Sequence, residues 1–277
     1  MSRFHLFGTY SRADTFVPRM VSAAVLAPLA VLAAWRGGPV LAGLAAVASV
    51  LMGWEWGRLT EGRFGRGAWL VVAVELAGVG LAAFGRLEVG LGILTLGAVA
   101  RLAWPPGAIG ANLWAGAGTL WIGAGCVSLL WLASDPTSGR ATVLWLFALV
   151  WVTDSAAYLV GRSVGGPRLA PRWSPRKTWS GAVGGIAAAG IVGAISAKTL
   201  GISMLSPLSW VSMGLSVAAQ FGDLLESAAK RRFGAKDTSG LIPGHGGLLD
   251  RLDGMLAALV ATALLALITG ASPIVWS

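Results

Sequence analysis

Long apolar segments separated by short polar stretches run through the whole chain. A membrane-spanning helix needs about 20 largely apolar residues, and somewhat fewer when it is short or tilted. The pattern therefore predicts an all-α, polytopic integral membrane protein with about nine transmembrane helices. The boundaries predicted for the spans are 20–35, 39–57, 68–84, 89–103, 108–133, 141–160, 181–198, 207–226 and 253–275. Because 20–35 and 89–103 are short, the count is open by one.

Composition supports a membrane protein. Of the 277 residues, 56% are hydrophobic and 12% are charged, about half the charged fraction of a soluble domain. No predicted loop exceeds about 26 residues, which is too few to bury a separate core. We therefore expect one continuous membrane domain, in which 1–140 forms N-terminal membrane helices and 141–277 forms the helices around two basic loops.

The basic residues indicate an orientation. With nine spans and a cytosolic N-terminus, 17 of the 21 Lys and Arg residues fall on the inside, as the positive-inside rule requires. The net charge of +9 is spread over separate loops rather than gathered on one soluble module. This distribution favours anionic lipids as partners and gives no reason to expect nucleic acid.

Acidic residues gather beside the two longest basic loops, 161–180 and 227–252. They are Asp154, Asp223, Glu226, Asp237, Asp250 and Asp253. Carboxylates that can hold a metal, next to bases that can hold phosphates, are what phosphoryl or nucleotidyl transfer needs. Charges also gather wherever loops meet water, so clustering alone leaves both interpretations open.

The segment 227–253 is the most informative part of the chain. It reads SAAKRRFGAKDTSGLIPGHGGLLDRLD and combines a basic turn with a glycine-rich loop before the last span. The N–H groups of glycines such as Gly246 and Gly247 could cradle phosphate oxygens at a helix N-terminus. Asp250 and Asp253, three residues apart, share one helix face and are oxygen ligands of the kind Mg²⁺ prefers.

The helix before that loop carries a second polar face. Gln220, Asp223 and Ser227 recur at helical spacing, and Asp223 follows a long apolar run. Ionisable groups at such a depth are costly, so Asp223 is a functional candidate. In contrast, Glu226 and Lys230 stand at i and i+4, and we interpret them as a structural ion pair.

These motifs resemble the signature of the phosphatidate cytidylyltransferase family. The matching positions are Ser227, Lys230, Arg231, Lys236, Asp237, Pro243, His245, Gly246, Gly247, Asp250, Arg251 and Asp253. The segment DSAAYLVGR at 154–162 and the following SPRKTWSG at 174–181 are similar to two further family motifs. In the second of these, Ser180 stands where the family usually has Glu.

The resemblance implies that CTP and phosphatidate react to give CDP-diacylglycerol and pyrophosphate with Mg²⁺, and it leaves open a second, monovalent cation. It implies catalytic roles for Asp223, Asp250, Lys236, His245 and Arg251. The substrate-binding candidates are Lys177, Ser227, Lys230, Arg231, Asp237, Gly246 and Gly247. The metal candidates are Asp223 and Asp250, with Asp253 as a more distant or alternative ligand and Asp154 as a possible addition.

His245 has two interpretations. It precedes two glycines in a basic loop, which favours a contact with phosphate or with the metal side of the site. The alternative is that it fixes the turn through backbone hydrogen bonds.

The resemblance also implies a bacterial inner membrane, cytosolic active-site loops and a possible homodimer. A CTP-dependent lipid or polyprenol kinase and a cytidylyltransferase for another lipid phosphate remain related alternatives. An ion-coupled transporter is an alternative of another class, but it predicts repeats between the two halves that the sequence does not show. Ser180 raises the further alternative of an inactive paralogue.

The remaining polar and small residues inside the spans receive structural interpretations. Glu55 and Glu75 are expected to pair with Arg58 or with polar neighbours, and Glu75 could instead line a lipid-phosphate cavity. The single cysteine, Cys126, excludes an intrachain disulfide and is expected in the core. A Gly181–Gly185 pair predicts close helix packing, within the chain or between protomers.

Overall fold

The computed structural model describes residues 12–62, 64–103, 109–201, 207–242 and 246–275, with only the backbone described at 12–20 and 109. In these residues the chain forms nine α-helices. They are α1 (Arg12–Arg36), α2 (Gly38–Glu61), α3 (Arg66–Ala83), α4 (Leu87–Leu102), α5 (Ile109–Ala133), α6 (Gly139–Val164), α7 (Trp179–Thr199), α8 (Pro207–Arg232) and α9 (Leu249–Thr269). A short antiparallel hairpin, β1 (Arg168–Ala170) and β2 (Ser174–Thr178), links α6 to α7, and a 3-10 turn covers Pro273–Val275.

The predicted all-α membrane fold is confirmed. Among the described helices, six are long and apolar enough to cross a membrane: α2, α3, α5, α6, α7 and α9. Helix α4 has only 16 residues, and α8 carries a charged C-terminal half. The count of nine spans therefore stays a prediction, although all nine predicted segments are helical.

The helices form two neighbouring groups. Helices α2 to α5 pack on one another in chain order, and α6 to α9 do the same, while α5 contacts both α2 and α9. Each group has its own buried apolar cluster, represented by Met52, Trp56 and Ile122 in the first and by Leu146 and Leu215 in the second. Cys126 is buried in the first cluster, as expected.

Helix α7 approaches α6 closely through glycines. A Cβ atom added to Gly181 would lie 2.5 Å from the Ala157 carbonyl oxygen, and one added to Gly185 would lie 3.0 Å from that of Thr153. The predicted role of the Gly181–Gly185 pair in helix packing is confirmed, and the partner is a helix of the same chain.

The described ends of α8 and α9 differ from the predicted spans. Helix α8 continues past 226 to Arg232, because Ser227–Arg232 is rich in good helix formers and Glu226 pairs with Lys230 across one turn. Helix α9 begins at Leu249 rather than at 253. The charged residues at the end of α8 and at the start of α9 therefore lie within helical turns.

Candidate active site

The two basic loops meet at one end of the helices. Lys177 in β2 places Nζ 2.5 Å from Oδ2 of Asp223 on α8. Arg231, at the end of α8, donates from Nε to the carbonyl oxygen of Trp173 at 3.2 Å, at the tip of the hairpin. The hairpin is therefore held against the charged end of α8, and the two basic loops lie side by side.

Asp223 is accessible within this junction. Its side chain is 30% exposed and that of Lys177 is 28% exposed. Ser227 Oγ lies 3.4 Å from Asp223 Oδ1, so the two residues share a helix face as predicted. Gln220 instead donates to the Ala182 carbonyl oxygen at 3.3 Å, which assigns it to packing between α8 and α7.

Asp250, in the first turn of α9, has a different environment. Its side chain is 3% exposed, and Oδ1 lies 2.6 Å from Lys230 Nζ. Its Oδ2 accepts from the backbone N–H groups of Gly247 at 2.7 Å and Thr238 at 2.9 Å. Both oxygens are thus engaged within the protein, and they hold Thr238 and Gly247 against the start of α9.

Lys230 bridges two carboxylates. Besides Asp250, it contacts Glu226 Oε2 at 2.5 Å, which confirms the predicted structural pair. Lys230 lies beyond the predicted span 207–226. Burial disfavours its charged form, but the Glu226 and Asp250 carboxylates outweigh that effect and raise the pKa of Lys230 to about 12. The ammonium therefore stays charged and fixes α8 against α9.

A group of carboxylates from three helices faces this end of the molecule. Asp253 is buried in α9, Asp154 lies on the exposed side of α6, and both interact electrostatically with Asp223 and with each other. Helices α8 and α9 touch here, since a Cβ added to Gly222 would lie 2.8 Å from the Asp253 carbonyl oxygen. Three helices thus bring negative charge to one place.

The chemistry of these side chains fits Mg²⁺. Within the described part of the chain, no three acidic, histidine or cysteine side chains are gathered closely enough to form a complete metal site. Mg²⁺, however, is usually bound by one or two carboxylates together with substrate phosphates and water. Asp223 and Asp253, with Asp154 nearby, supply such oxygens, so the residues present fit the ion without forming a closed cage.

The remaining predicted residues occupy the loop and its edges. Lys236, Asp237 and Arg251 are exposed, and Arg251 interacts electrostatically with Asp154. His245 lies outside the described residues, so both of its interpretations stay predictions.

Gly246 and Gly247 shape the loop. Gly246 has a φ of 89°, a conformation that favours glycine, and its N–H donates to the Ile242 carbonyl oxygen at 3.1 Å. The N–H of Gly247 donates to Asp250. Since both groups donate within the protein here, phosphate binding by them stays a prediction.

Glu55 pairs with polar neighbours, which is one of its two expected outcomes. Arg58 is not its partner, since that guanidinium lies 4.8 Å from the centroid of the Trp54 ring. The carboxylate of Glu55 also accepts from the N–H groups of Leu248 and Leu249, both at 2.8 Å. In the sequence, Glu55 is an acidic residue within an apolar span. Such a position indicates a structural or functional role, but it does not identify the partner of the carboxylate.

Glu75 and Ser180 also have defined positions. Glu75 is fully buried, and neither of its oxygens has a hydrogen-bond partner among the described residues. Ser180 donates to the Gly165 carbonyl oxygen and lies 3.0 Å from Thr178 Oγ1, which itself caps α7 by accepting from the Gly181 N–H. The serine therefore closes the base of the hairpin.

Comparison with known proteins decides the family. The model of the cytidylyltransferase family matches residues 17–269, nearly the whole chain and all of the site described above. The chain belongs to the cytidylyltransferase family. A Brucella suis biovar 1 (strain 1330) protein named phosphatidate cytidylyltransferase is 40% identical over 253 residues, covering 87% of this chain and 89% of the relative.

Two further relatives with the same name match shorter regions. A Haemophilus influenzae protein is 45% identical over 132 residues, or 45% of each chain. A Rickettsia bellii protein is 38% identical over 135 residues, covering 46% of this chain and 58% of its own length. The resemblance read from the motifs is confirmed at the level of the family.

Proposed function

We propose that this chain is a phosphatidate cytidylyltransferase, which converts CTP and phosphatidate into CDP-diacylglycerol and pyrophosphate. The observation that carries the proposal is the meeting of Lys177 and Asp223 beside the carboxylates of α9, at one end of a bundle of apolar helices. A lipid headgroup and a water-soluble nucleotide can both reach such a place. The name shared by relatives at 40% identity over most of the chain supports the same substrates.

The reaction requires the protein to position the substrates and to neutralise their charge, and it does not require the protein to activate a nucleophile. A phosphate oxygen of phosphatidate forms a bond to the α-phosphorus of CTP, and the bond from that phosphorus to the oxygen bridging to the β-phosphate breaks. Pyrophosphate leaves with the bonding electrons. Because the attacking oxygen is already anionic, the protein must mainly align the two substrates and offset their negative charges.

The exposed and partly exposed cations around the junction suit that task. We assign Lys177, Arg231, Lys236 and Arg251 to binding the triphosphate and the lipid phosphate. Lys230 is 12% exposed and already bridges Glu226 and Asp250, so we assign it to holding the site together. This division separates cations with enough exposed surface to reach a substrate from one that is nearly enclosed by the protein.

We assign Mg²⁺ primarily to Asp223 and Asp253, with Asp154 as a third candidate. Asp250, an equal candidate from sequence, stays a candidate for the ion, and because its oxygens contact Lys230, Thr238 and Gly247 we also assign it to organising the loop. When bound, Mg²⁺ neutralises triphosphate charge and orients the phosphates. The serine hydroxyl of Ser227 supports the orientation of Asp223.

Two further parts of the proposal concern the membrane. We place the protein in a bacterial inner membrane with its N-terminus and both basic loops in the cytosol, where CTP is available. The support is the concentration of Lys and Arg in those loops and the bacterial sources of the relatives. A homodimer remains a proposal from the family resemblance alone.

Isotope labelling tests this function directly. Purified protein in detergent is incubated with phosphatidate, Mg²⁺ and CTP labelled on either the α- or the γ-phosphate. Cytidylyl transfer predicts that only the α-label enters lipid. Entry of the γ-label would identify a CTP-dependent kinase, and the absence of both labels from lipid would refute both lipid reactions.

A further inference from the structure

Glu55 connects the N-terminal helices to the glycine-rich loop. It lies on α2 with none of its surface exposed. Oε1 accepts from Ser239 Oγ at 2.6 Å and from the Leu248 N–H at 2.8 Å, while Oε2 accepts from the Leu249 N–H at 2.8 Å. One buried carboxylate therefore holds two stretches of the loop that are nine or more residues apart in sequence.

The contacts with Leu248 and Leu249 make Glu55 the cap of α9. The first N–H groups of a helix have no partner within the helix and need an acceptor from elsewhere. Leu248 occupies the N-cap position and its side chain makes no capping hydrogen bond. Glu55 supplies the missing acceptor from α2, and its negative charge is also favoured at a helix N-terminus.

The same contacts couple Glu55 to Asp250. The hydroxyl of Thr238 lies 3.3 Å from Glu55 Oε2 and 3.0 Å from Asp250 Oδ2, so its single proton is shared between two carboxylates. A Cβ added to Gly247 would lie 2.6 Å from Glu55 Oε1 and 2.0 Å from Thr238 Oγ1. Only glycine lets the backbone pass between these groups.

We infer that Glu55 is a positioning residue that holds Thr238 and Ser239 against the start of α9. The first N–H groups of α9 are therefore used for internal capping rather than for holding substrate phosphate. Glu55 takes the N–H groups of Leu248 and Leu249, and Asp250 takes that of Gly247. Recognition of phosphate then falls to exposed cations such as Lys236, just ahead of the fixed segment. Only the kinetic test of this inference, described below, rests on the proposed function.

The test compares Glu55→Gln with Glu61→Gln on the same helix. Glu61 pairs with Arg101 at 3.1 Å and makes none of the contacts to the loop described above, so it controls for the loss of a helix α2 carboxylate. The first readout is trypsin cleavage after Lys236 in the folded protein, with fragments identified by mass. We expect Glu55→Gln to accelerate this cleavage roughly tenfold, because losing a charge-assisted hydrogen bond favours local opening by about that factor.

Kinetics supply the second readout. Glu55→Gln is expected to raise the KM for CTP and lower kcat, since the segment that follows Lys236 is released and Asp250 loses its link to Glu55 through Thr238, while Glu61→Gln leaves the KM for CTP unchanged. Equal cleavage and equal KM in wild type and Glu55→Gln would overturn the inference. So would the same loss in both variants, because that would show a general effect on stability.

A milder variant covers the case in which Glu55→Gln does not fold. Ser239→Ala removes one donor at 2.6 Å and leaves the carboxylate in place, so cleavage after Lys236 should accelerate by a smaller factor. Unchanged cleavage in that variant would count against the inference. The cleavage assay uses no substrate, so an inactive wild-type protein would refute the proposed function and leave this comparison valid.

Discussion

At the scale of single residues, Asp223 and Asp250 of the candidate site differ in exposure and in hydrogen bonding. Asp223 is 30% exposed and pairs with one partly exposed lysine. Asp250 is 3% exposed and accepts from Lys230, Thr238 and Gly247. An exposed ion pair contributes about 0–1 kcal/mol to stability, whereas removing one member of a buried pair costs about 3–5 kcal/mol.

The two aspartates should therefore respond differently to amidation. Asp250→Asn is expected to lower the thermal unfolding midpoint markedly, because Lys230 is left buried beside a weaker acceptor. Asp223→Asn should leave the midpoint nearly unchanged. Thermal unfolding of both variants in the same detergent checks this, and equal shifts would contradict the different roles.

The loop glycines give a second prediction at this scale. Gly247→Ala should destabilise the protein by about 1–3 kcal/mol, since the new methyl group would lie 2.0 Å from Thr238 Oγ1. Gly240 lies in the same loop with nothing within 4 Å of an added Cβ, so Gly240→Ala is the matched control. Unfolding midpoints should separate the two variants, and a neutral Gly247→Ala would contradict the described loop.

At the scale of elements, α7 packs closely against the backbone of α6, whereas α8 has an open position at Gly214. Gly181 approaches the Ala157 carbonyl oxygen on α6, whereas a Cβ at Gly214 on α8 would meet nothing within 4 Å. The first glycine is needed for packing. The second only lowers the helix propensity of α8.

Alanine at these two positions should act with opposite signs. Gly181→Ala is expected to cost about 1–3 kcal/mol through overpacking against α6. Gly214→Ala should be neutral or add up to about 1 kcal/mol, because alanine favours the helix. Unfolding midpoints measured in parallel check the signs, and a destabilising Gly214→Ala would argue against an open position there.

The sequence predicted the helices of this fold but not all of its local structure. All nine apolar segments are helices, because a run of about 20 apolar residues leaves few alternatives in a membrane. The hairpin from Arg168 to Thr178 was missed, since its turn lacks the Asn-Gly or Asp-Gly pair that marks a tight hairpin. The capping of α9 by Glu55 was also missed, because the partners are more than 180 residues apart in sequence.

At the scale of the whole molecule, the distribution of basic residues supports the proposed orientation of the helices in the membrane. Helix α6 has 26 residues and is about 39 Å long, enough to cross a hydrocarbon core of about 30 Å. Ser163 lies at its end beside the basic hairpin, and Thr137 precedes its other end. The proposed orientation puts Ser163 in the cytosol and Thr137 outside.

Cysteine labelling tests this orientation. Cys126 is buried, and Cys126→Ala provides a background for Ser163→Cys and Thr137→Cys. In spheroplasts, a membrane-impermeant maleimide should label Thr137→Cys at once and Ser163→Cys only after lysis. The reverse pattern would invert the topology, and labelling of both from one side would show that α6 does not cross.

Sequence could predict which candidate residues lie beside the basic loops, whereas it could not predict how they differ in burial and in pairing. Spacing placed Asp223, Ser227 and Asp250 beside the basic loops, and the structure brings their helices together. Spacing could not show that Asp250 and Lys230 neutralise each other while Asp223 and Lys177 stay accessible. Those differences depend on burial, which is set by helices distant in sequence.

The proposed function is tested most directly by pyrophosphate release from CTP by the purified protein with phosphatidate and Mg²⁺, compared between wild type and Asp223→Asn. Wild type is expected to release pyrophosphate, and Asp223→Asn is expected to lose at least roughly 100-fold of this activity at an unchanged unfolding midpoint. A folded Asp223→Asn protein that turns over near the wild-type rate would contradict this expectation.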